Sequence, residues 1–183
     1  NLASSKKSVI SRIIRLTDSS LIFRDVDIRD RERLEEIFDS YEINSVIHFA
    51  GYKAVGESVE NPMLYYSNNL AGSITLFDVM NQMGVKSLVF SSSCTVYGDS
   101  KSCPVTEQSE LNPTNPYGRT KYYTEQVLND LSNADSDWQI TCLRYFNPIG
   151  AHPSGKLGED PLGIPNNLFP FITQTAIGDR EEL

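Results

Sequence analysis

Tyr117 and Lys121 stand four residues apart, and a run of serines, Ser91 to Ser93, lies upstream of them. On a helix that spacing puts the phenol and the ammonium on one face, one turn from each other. A free phenol ionises near pH ~10, too high for a base at neutral pH. A nearby ammonium favours the phenolate and lowers that value. A tyrosine tuned in this way is a general acid/base, and a serine hydroxyl from another loop can hold the substrate oxygen it serves. The spacing alone is weak, because a chain with this content of Tyr and Lys carries such a pair by chance about one time in three. Most such pairs are simply a helix surface.

The surrounding sequence supplies the helix. Asn115 suits the N-cap, where its side-chain oxygen accepts an unpaired amide hydrogen. Pro116 suits the first helical position, and Val127, Leu128 and Leu131 give an apolar stripe. Further helices are expected over residues 7–16, over 30–41 with Asp30 as cap, over 61–83 with Asn61-Pro62 as the start and Gly84 as the stop, and over 168–177. Strands are expected over 21–28, 45–50, 87–91 and 138–144. Nearly all-apolar strands alternating with helices predict an α/β fold, a doubly wound parallel sheet covered on both faces. Ligands bind such sheets beyond the carboxyl ends of the strands. Asp27, Gly51, Ser91 to Ser93, Tyr145 and Phe146 all fall just after strands, with Tyr117 at a helix start beside them.

Composition narrows the function classes. The formal charge of −8 argues against nucleic acid as a partner, since phosphate backbones need clustered Lys and Arg. No run approaches the ~18 apolar residues of a membrane span, and the polar residues 1–7 do not read as a secretory leader. Cys94, Cys103 and Cys142 form no CxxC pair and no even framework, which fits reduced thiols in the cytoplasm. His48 and His152 are too few for a histidine metal site, so no metal is expected. His48, inside an apolar run, reads as a packed core residue. A nucleotide-binding sheet of this kind usually opens with a strand and a glycine-rich turn. None of the 11 glycines clusters near the start. The expectation is therefore a fold truncated at its front, with its first βαβ unit lying before Asn1.

Five stretches carry a resemblance. They are residues 48–58 (HFAGYKAVGES), 91–98 (SSSCTVYG), 115–121 (NPYGRTK), 143–155 (LRYFNPIGAHPSG) and 158–168 (GEDPLGIPNNL). In order and spacing the chain resembles the extended short-chain dehydrogenase/reductase superfamily and, within it, the UDP-glucose 4-epimerase family, over essentially its whole length. The resemblance implies a Rossmann-type NAD-binding region over 1–145, lacking its first strand and glycine-rich turn, and the start of a UDP-sugar-binding region over 146–183. It implies tightly held NAD and reversible oxidation at sugar C4, interconverting UDP-galactose and UDP-glucose, in a cytoplasmic enzyme that is a homodimer when full length. Tyr117 would take the 4-hydroxyl proton, Ser93 would hydrogen-bond that oxygen, and Lys121 would hold the nicotinamide ribose and keep the Tyr117 pKa low.

Other roles implied by the resemblance follow position by position. Ser4, Ser5, Asp27, Ile28, Phe49, Ala50, Gly51, Lys53, Asn68, Ser91 and Tyr145 would line the dinucleotide. Phe146, Asn147, Asn167 and Leu168 would contact the UDP-sugar. Cys94 stands where the family usually has alanine, and Arg119-Thr120 where it has Lys-Ser. The related dehydratases carry an Asp-Glu pair after the serine position, whereas Cys94-Thr95 follows Ser93 here. The same resemblance implies that the diphosphate-binding arginines lie beyond Leu183, so the fold is expected to be truncated at both ends and little turnover is expected from these 183 residues alone.

Overall fold

The structure, a computed structural model, describes residues 2–3, 5–101, 103–159, 165 and 167–183. The chain forms two compact units, one of residues 1–25 with 147–183 and one of residues 26–146. In the first lie α1 (Ser8–Thr17) and, late in the chain, α7 (Leu168–Ala176). In the second, α2 (Arg31–Ser40), β1 (Val46–His48), α3 (Val55–Glu60) and α4 (Pro62–Tyr65) come first. A π-helical turn, Tyr66–Ala71, joins α4 to α5 (Gly72–Gln82). Next come β2 (Ser87–Ser93), a 3₁₀ turn (Cys94–Tyr97), α6 (Pro116–Ala134) and β3 (Gln139–Tyr145).

The three strands pair in parallel in the order β1-β2-β3. Phe90 of β2 stands opposite His48 on one side and Cys142 on the other, and Ser93 stands opposite Tyr145. Leu88 and Phe90 are each only 1% exposed, and they pack with Leu34, Phe77, Met80, Leu128 and Trp138 into the core. His48 lies in this core as expected, 3% exposed, with Nε2 2.8 Å from Ser73 Oγ and its ring between Phe77 and Phe90. On the other face of the sheet Ile47 is 65% exposed, and Phe49, Leu143 and Tyr145 are exposed with it.

Several expectations are altered. Residues 21–28 carry no strand. A parallel strand exists only through its ladder, and β1 pairs with β2 alone among the described residues. β2 runs two residues further than its apolar run, to Ser93, because β3 pairs with it that far. Asn61 makes no side-chain cap, whereas Asp30 and Asn115 do. The helix expected over 61–83 contains the π turn, whose extra residue lets the consecutive Asn68 and Asn69 both be buried. Gly72 follows that turn because a Cβ there would stand 2.8 Å from Ile28 Cδ1.

Candidate active site

The site grows from the carboxyl end of β2. The last strand residue, Ser93, is 7% exposed, and its Oγ accepts from the Thr95 backbone N–H at 3.2 Å and from Thr95 Oγ1 at 3.0 Å. With both acceptances taken by Thr95, the Ser93 proton is left to be donated outward. The start of α6 is pressed against the same turn. Asn115 Oδ1 accepts the Gly118 N–H at 2.8 Å, and a Cβ at Gly118 would lie 2.9 Å from Thr95 O. Glycine at 118 thus brings Tyr117 up to Ser93. The turn itself needs Gly98, at φ +58°, where a Cβ would fall 1.9 Å from Asn112 O.

Tyr117 is 9% exposed, with the Tyr65 ring packed edge-on at 6.4 Å. Lys121 is 6% exposed; its Nζ donates to Ser91 O at 2.7 Å and lies 4.9 Å from the Phe90 ring and 5.9 Å from the Tyr117 ring. The two do share a helix face, as the spacing required. Their electrostatics depart from expectation. Burial pushes the Tyr117 phenol up from its ordinary value, while the Ser93 hydroxyl opposes that rise. Burial also pulls the Lys121 ammonium down to about 8. Desolvation is the largest cause at Tyr117, and the Lys121 ammonium points at the Ser91 carbonyl. Tyr117 is thus a protonated phenol at neutral pH in this chain, a donor until something takes its proton.

Of the expected cofactor-lining residues in the same unit, Phe49, Ala50, Gly51, Lys53, Ser91 and Tyr145 lie at or just beyond strand ends, whereas Asp27 and Ile28 follow no strand and Asn68 lies in the π turn. Phe49, Ala50, Gly51 and Lys53 follow β1 and are exposed. Phe49, just beyond β1, and Tyr145, the last residue of β3 and opposite Ser93, bring their ring centroids to 6.2 Å beside the end of β2. Asn68 is buried and donates to Asn69 Oδ1 at 2.9 Å. Asp27 accepts from the Arg29 backbone and guanidinium at 2.9 Å, and Ile28 packs on Gly72. Phe146 is exposed at the end of this unit. Ser5, Asn147, Asn167 and Leu168 belong to the other unit, where Asn167 donates to Glu159 at 2.8 Å. Ser4 lies outside the described residues.

Three residues with clear site contacts escaped sequence reading. Thr95 orients Ser93. Asn69 clamps the loop after β1, accepting the Tyr52 N–H at 2.8 Å and donating to the Tyr52 carbonyl at 2.9 Å. Thr120 donates to Tyr117 O at 2.7 Å. Among the described residues no group of acids, histidines and cysteines could hold a metal ion, and no helix is long and apolar enough to cross a membrane.

Comparison with known proteins adds a second line. Residues 2–173 match the model of the NAD dependent epimerase/dehydratase family. The chain belongs to that family. Among its relatives, UDP-glucose 4-epimerase 2 of Arabidopsis thaliana is 54% identical over 100% of this chain and 53% of its own length. UDP-glucose 4-epimerase of Bacillus subtilis (strain 168) is 52% identical over 100% of this chain and 54% of its own. A crystal structure of UDP-glucose 4-epimerase from Bifidobacterium longum, in complex with NAD+ and UDP, superposes with a TM-score of 0.95 at 47% identity, covering 100% of this chain and 55% of that one. The epimerase/dehydratase fold, a parallel Rossmann-type sheet with helices, is therefore shared with these enzymes, and the chain spans about half the length of the curated relatives it matches.

Proposed function

We propose that the full-length protein is an NAD-dependent UDP-glucose 4-epimerase, interconverting UDP-galactose and UDP-glucose through a 4-keto sugar. The observation that carries this reading is the convergence of Ser93, Tyr117 and Lys121 at the carboxyl end of β2 in a chain about half identical to UDP-glucose 4-epimerases.

The residues present fit a dinucleotide. Lys121 carries three N–H donors, and only Ser91 O accepts from it among the described residues. A buried ammonium with two donors to spare suits the vicinal hydroxyls of a ribose. Phe49 and Tyr145 offer aromatic rings beside the carboxyl end of β2, their centroids 6.2 Å apart. Ser91, Asn68, Ala50, Gly51, Lys53, Asp27 and Ile28, with Ser4 and Ser5, are assigned to the same ligand. When bound, NAD supplies the acceptor and donor for the C4 hydride.

The chain's own residues handle the proton. Ser93, its oxygen held by Thr95, donates to the sugar O4 and sets its distance from Tyr117. With NAD bound, the Tyr117 phenolate is favoured by the cofactor's positive charge and the Lys121 ammonium, and it takes the 4-hydroxyl proton as the ketone forms and returns it as the alcohol is restored. Phe146, Asn147, Asn167 and Leu168 are assigned to the UDP-sugar. Net redox is zero, so one held cofactor suffices. Cys94 after Ser93 provides no acid to expel water, which separates this site from a dehydratase. The region 1–145 is proposed to serve the dinucleotide and 146–183 the nucleotide sugar. The protein is further assigned to the cytoplasm and, when full length, to a homodimer through the faces of α4, α5 and α6 that expose Met63, Ile74 and Tyr123.

Incubating the full-length protein with UDP-galactose tests the reading. UDP-glucose is the expected product; release of a 4-keto-6-deoxy sugar, or no conversion with NAD bound, would overturn it.

A further inference from the structure

Two turns along α6 from Tyr117, and one from Lys121, comes Glu125. Residues 117, 121 and 125 share one helix face. Glu125 is 7% exposed and sits behind the proposed catalytic pair, at the side of β2. Its carboxylate receives the Ser92 hydroxyl, and it receives Arg144 of β3 twice over, Nη2 to Oε2 at 2.7 Å and Nε to Oε1 at 3.1 Å. Arg144 Nη1 donates in turn to Tyr97 Oη at 3.1 Å and to Glu107 O at 3.3 Å. One buried carboxylate therefore binds α6 to β2, β3, the 3₁₀ turn after Ser93 and the loop beyond it.

A buried ion pair is weak evidence for net stability, because desolvation cancels much of the attraction. Its geometry is more informative. Ser92 lies between the two groups that the chemistry uses, the Ser91 carbonyl that takes the Lys121 ammonium and the Ser93 hydroxyl beside Tyr117. Ser92 is tied to the same helix that carries Tyr117 and Lys121. Any slide of α6 along β2 would have to break the Ser92–Glu125 bond and misalign both groups together.

We propose that Ser92 and Glu125 are positioning residues that fix the register of α6 on β2, and so set the distances from Ser93 to Tyr117 and from Lys121 to the Ser91 carbonyl; Arg144 holds the Glu125 carboxylate in place. The inference rests on the epimerase reading above. Misplacing reacting groups by about 1 Å can cost ~10²-fold in rate.

Ser92→Ala in the full-length enzyme is the sharpest test, because it removes one hydroxyl and leaves the Glu125–Arg144 pair intact. Four quantities are measured against wild type: kcat, the KM for UDP-galactose, bound NAD per subunit, and amide hydrogen exchange of residues 91–95. The expected result is a kcat roughly tenfold lower, with KM and NAD content within twofold, and faster exchange in 91–95 but not at Leu88 to Phe90. Glu125→Gln, which keeps an acceptor for Ser92 but loses the charge, is expected to fall between wild type and Ser92→Ala. Unchanged kcat per NAD-loaded subunit in Ser92→Ala would overturn the proposal, as would a loss confined to NAD content or melting temperature. A wild-type enzyme that loads NAD but converts no UDP-galactose would overturn the epimerase reading and this inference together.

Discussion

The two halves of the candidate site are built in opposite ways. Ser93, Tyr117 and Lys121 are 7%, 9% and 6% exposed, each held by core elements of the 26–146 unit. Phe49, Tyr145 and Phe146, assigned to ligands, are 61%, 39% and 61% exposed. The groups given chemistry owe their positions to packing, capping and buried hydrogen bonds that exist for the fold's own sake. Phe49, Tyr145 and Phe146 stand at strand ends and in the loops that follow them. Substitutions in the first half should therefore damage fold and turnover, and in the second only affinity.

The largest expected effect is Gly98→Ala. The added carbon collides with Asn112 O, in a left-handed conformation that glycine tolerates best. A destabilisation of about 4 kcal/mol or more is expected by urea unfolding; a loss under about 1 kcal/mol would show that the turn behind Ser93 is not rigidly specified. Next comes Arg144→Met, which strands the Glu125 carboxylate, 7% exposed, without its cation. Its expected cost is about 3 kcal/mol, and restoration by Glu125→Gln in the same chain would confirm that the stranded charge is the cause.

A third effect depends on pH. Burial, helped by the Lys121 charge, depresses His48 to about 4. The unfolded chain takes up that proton near pH ~6.5, so His48 contributes its full stability above that value. The contribution declines as pH falls through 6.5 toward 4, by roughly 3 kcal/mol in all. Urea midpoints of wild type and His48→Asn, compared between pH 7 and 4, should show the variant with the shallower acid decline; parallel declines would contradict the assignment. The smallest effect is expected at Phe49→Ala. Stability should move by less than about 0.5 kcal/mol, while NAD retention by the full-length protein falls; a large stability loss would break the contrast between the two halves.

Local signals were legible and distant ones were not. The Asn115 cap, Pro116 at the helix start and Gly84 at the stop act through neighbours in sequence, and the structure keeps all three. The strand expected over 21–28 fails because a strand requires a partner, which no period-2 pattern reveals. α3, six residues with Gly56 inside it, offers no periodicity to read. The π turn was equally silent, so Asn68 came through the family resemblance and its neighbour Asn69, which makes the clamp on Tyr52, did not. Glu125 and Arg144 are 19 residues apart, and charged residues in a helix and a strand ordinarily read as a solvated face. The burial of the Tyr117 phenol is hidden from the sequence for a related reason. Spacing shows that an ammonium is near, but only packing shows how dry the phenol is and where the ammonium points.

The most direct test of the contrast is Tyr117→Phe in the full-length protein, with bound NAD and UDP-galactose turnover measured on the same sample. The change removes one buried hydroxyl and keeps the ring against Tyr65. The account predicts NAD content at the wild-type level and kcat lower by about 10²–10⁴. Turnover within a few-fold of wild type would contradict it, and would take the acid/base role away from Tyr117.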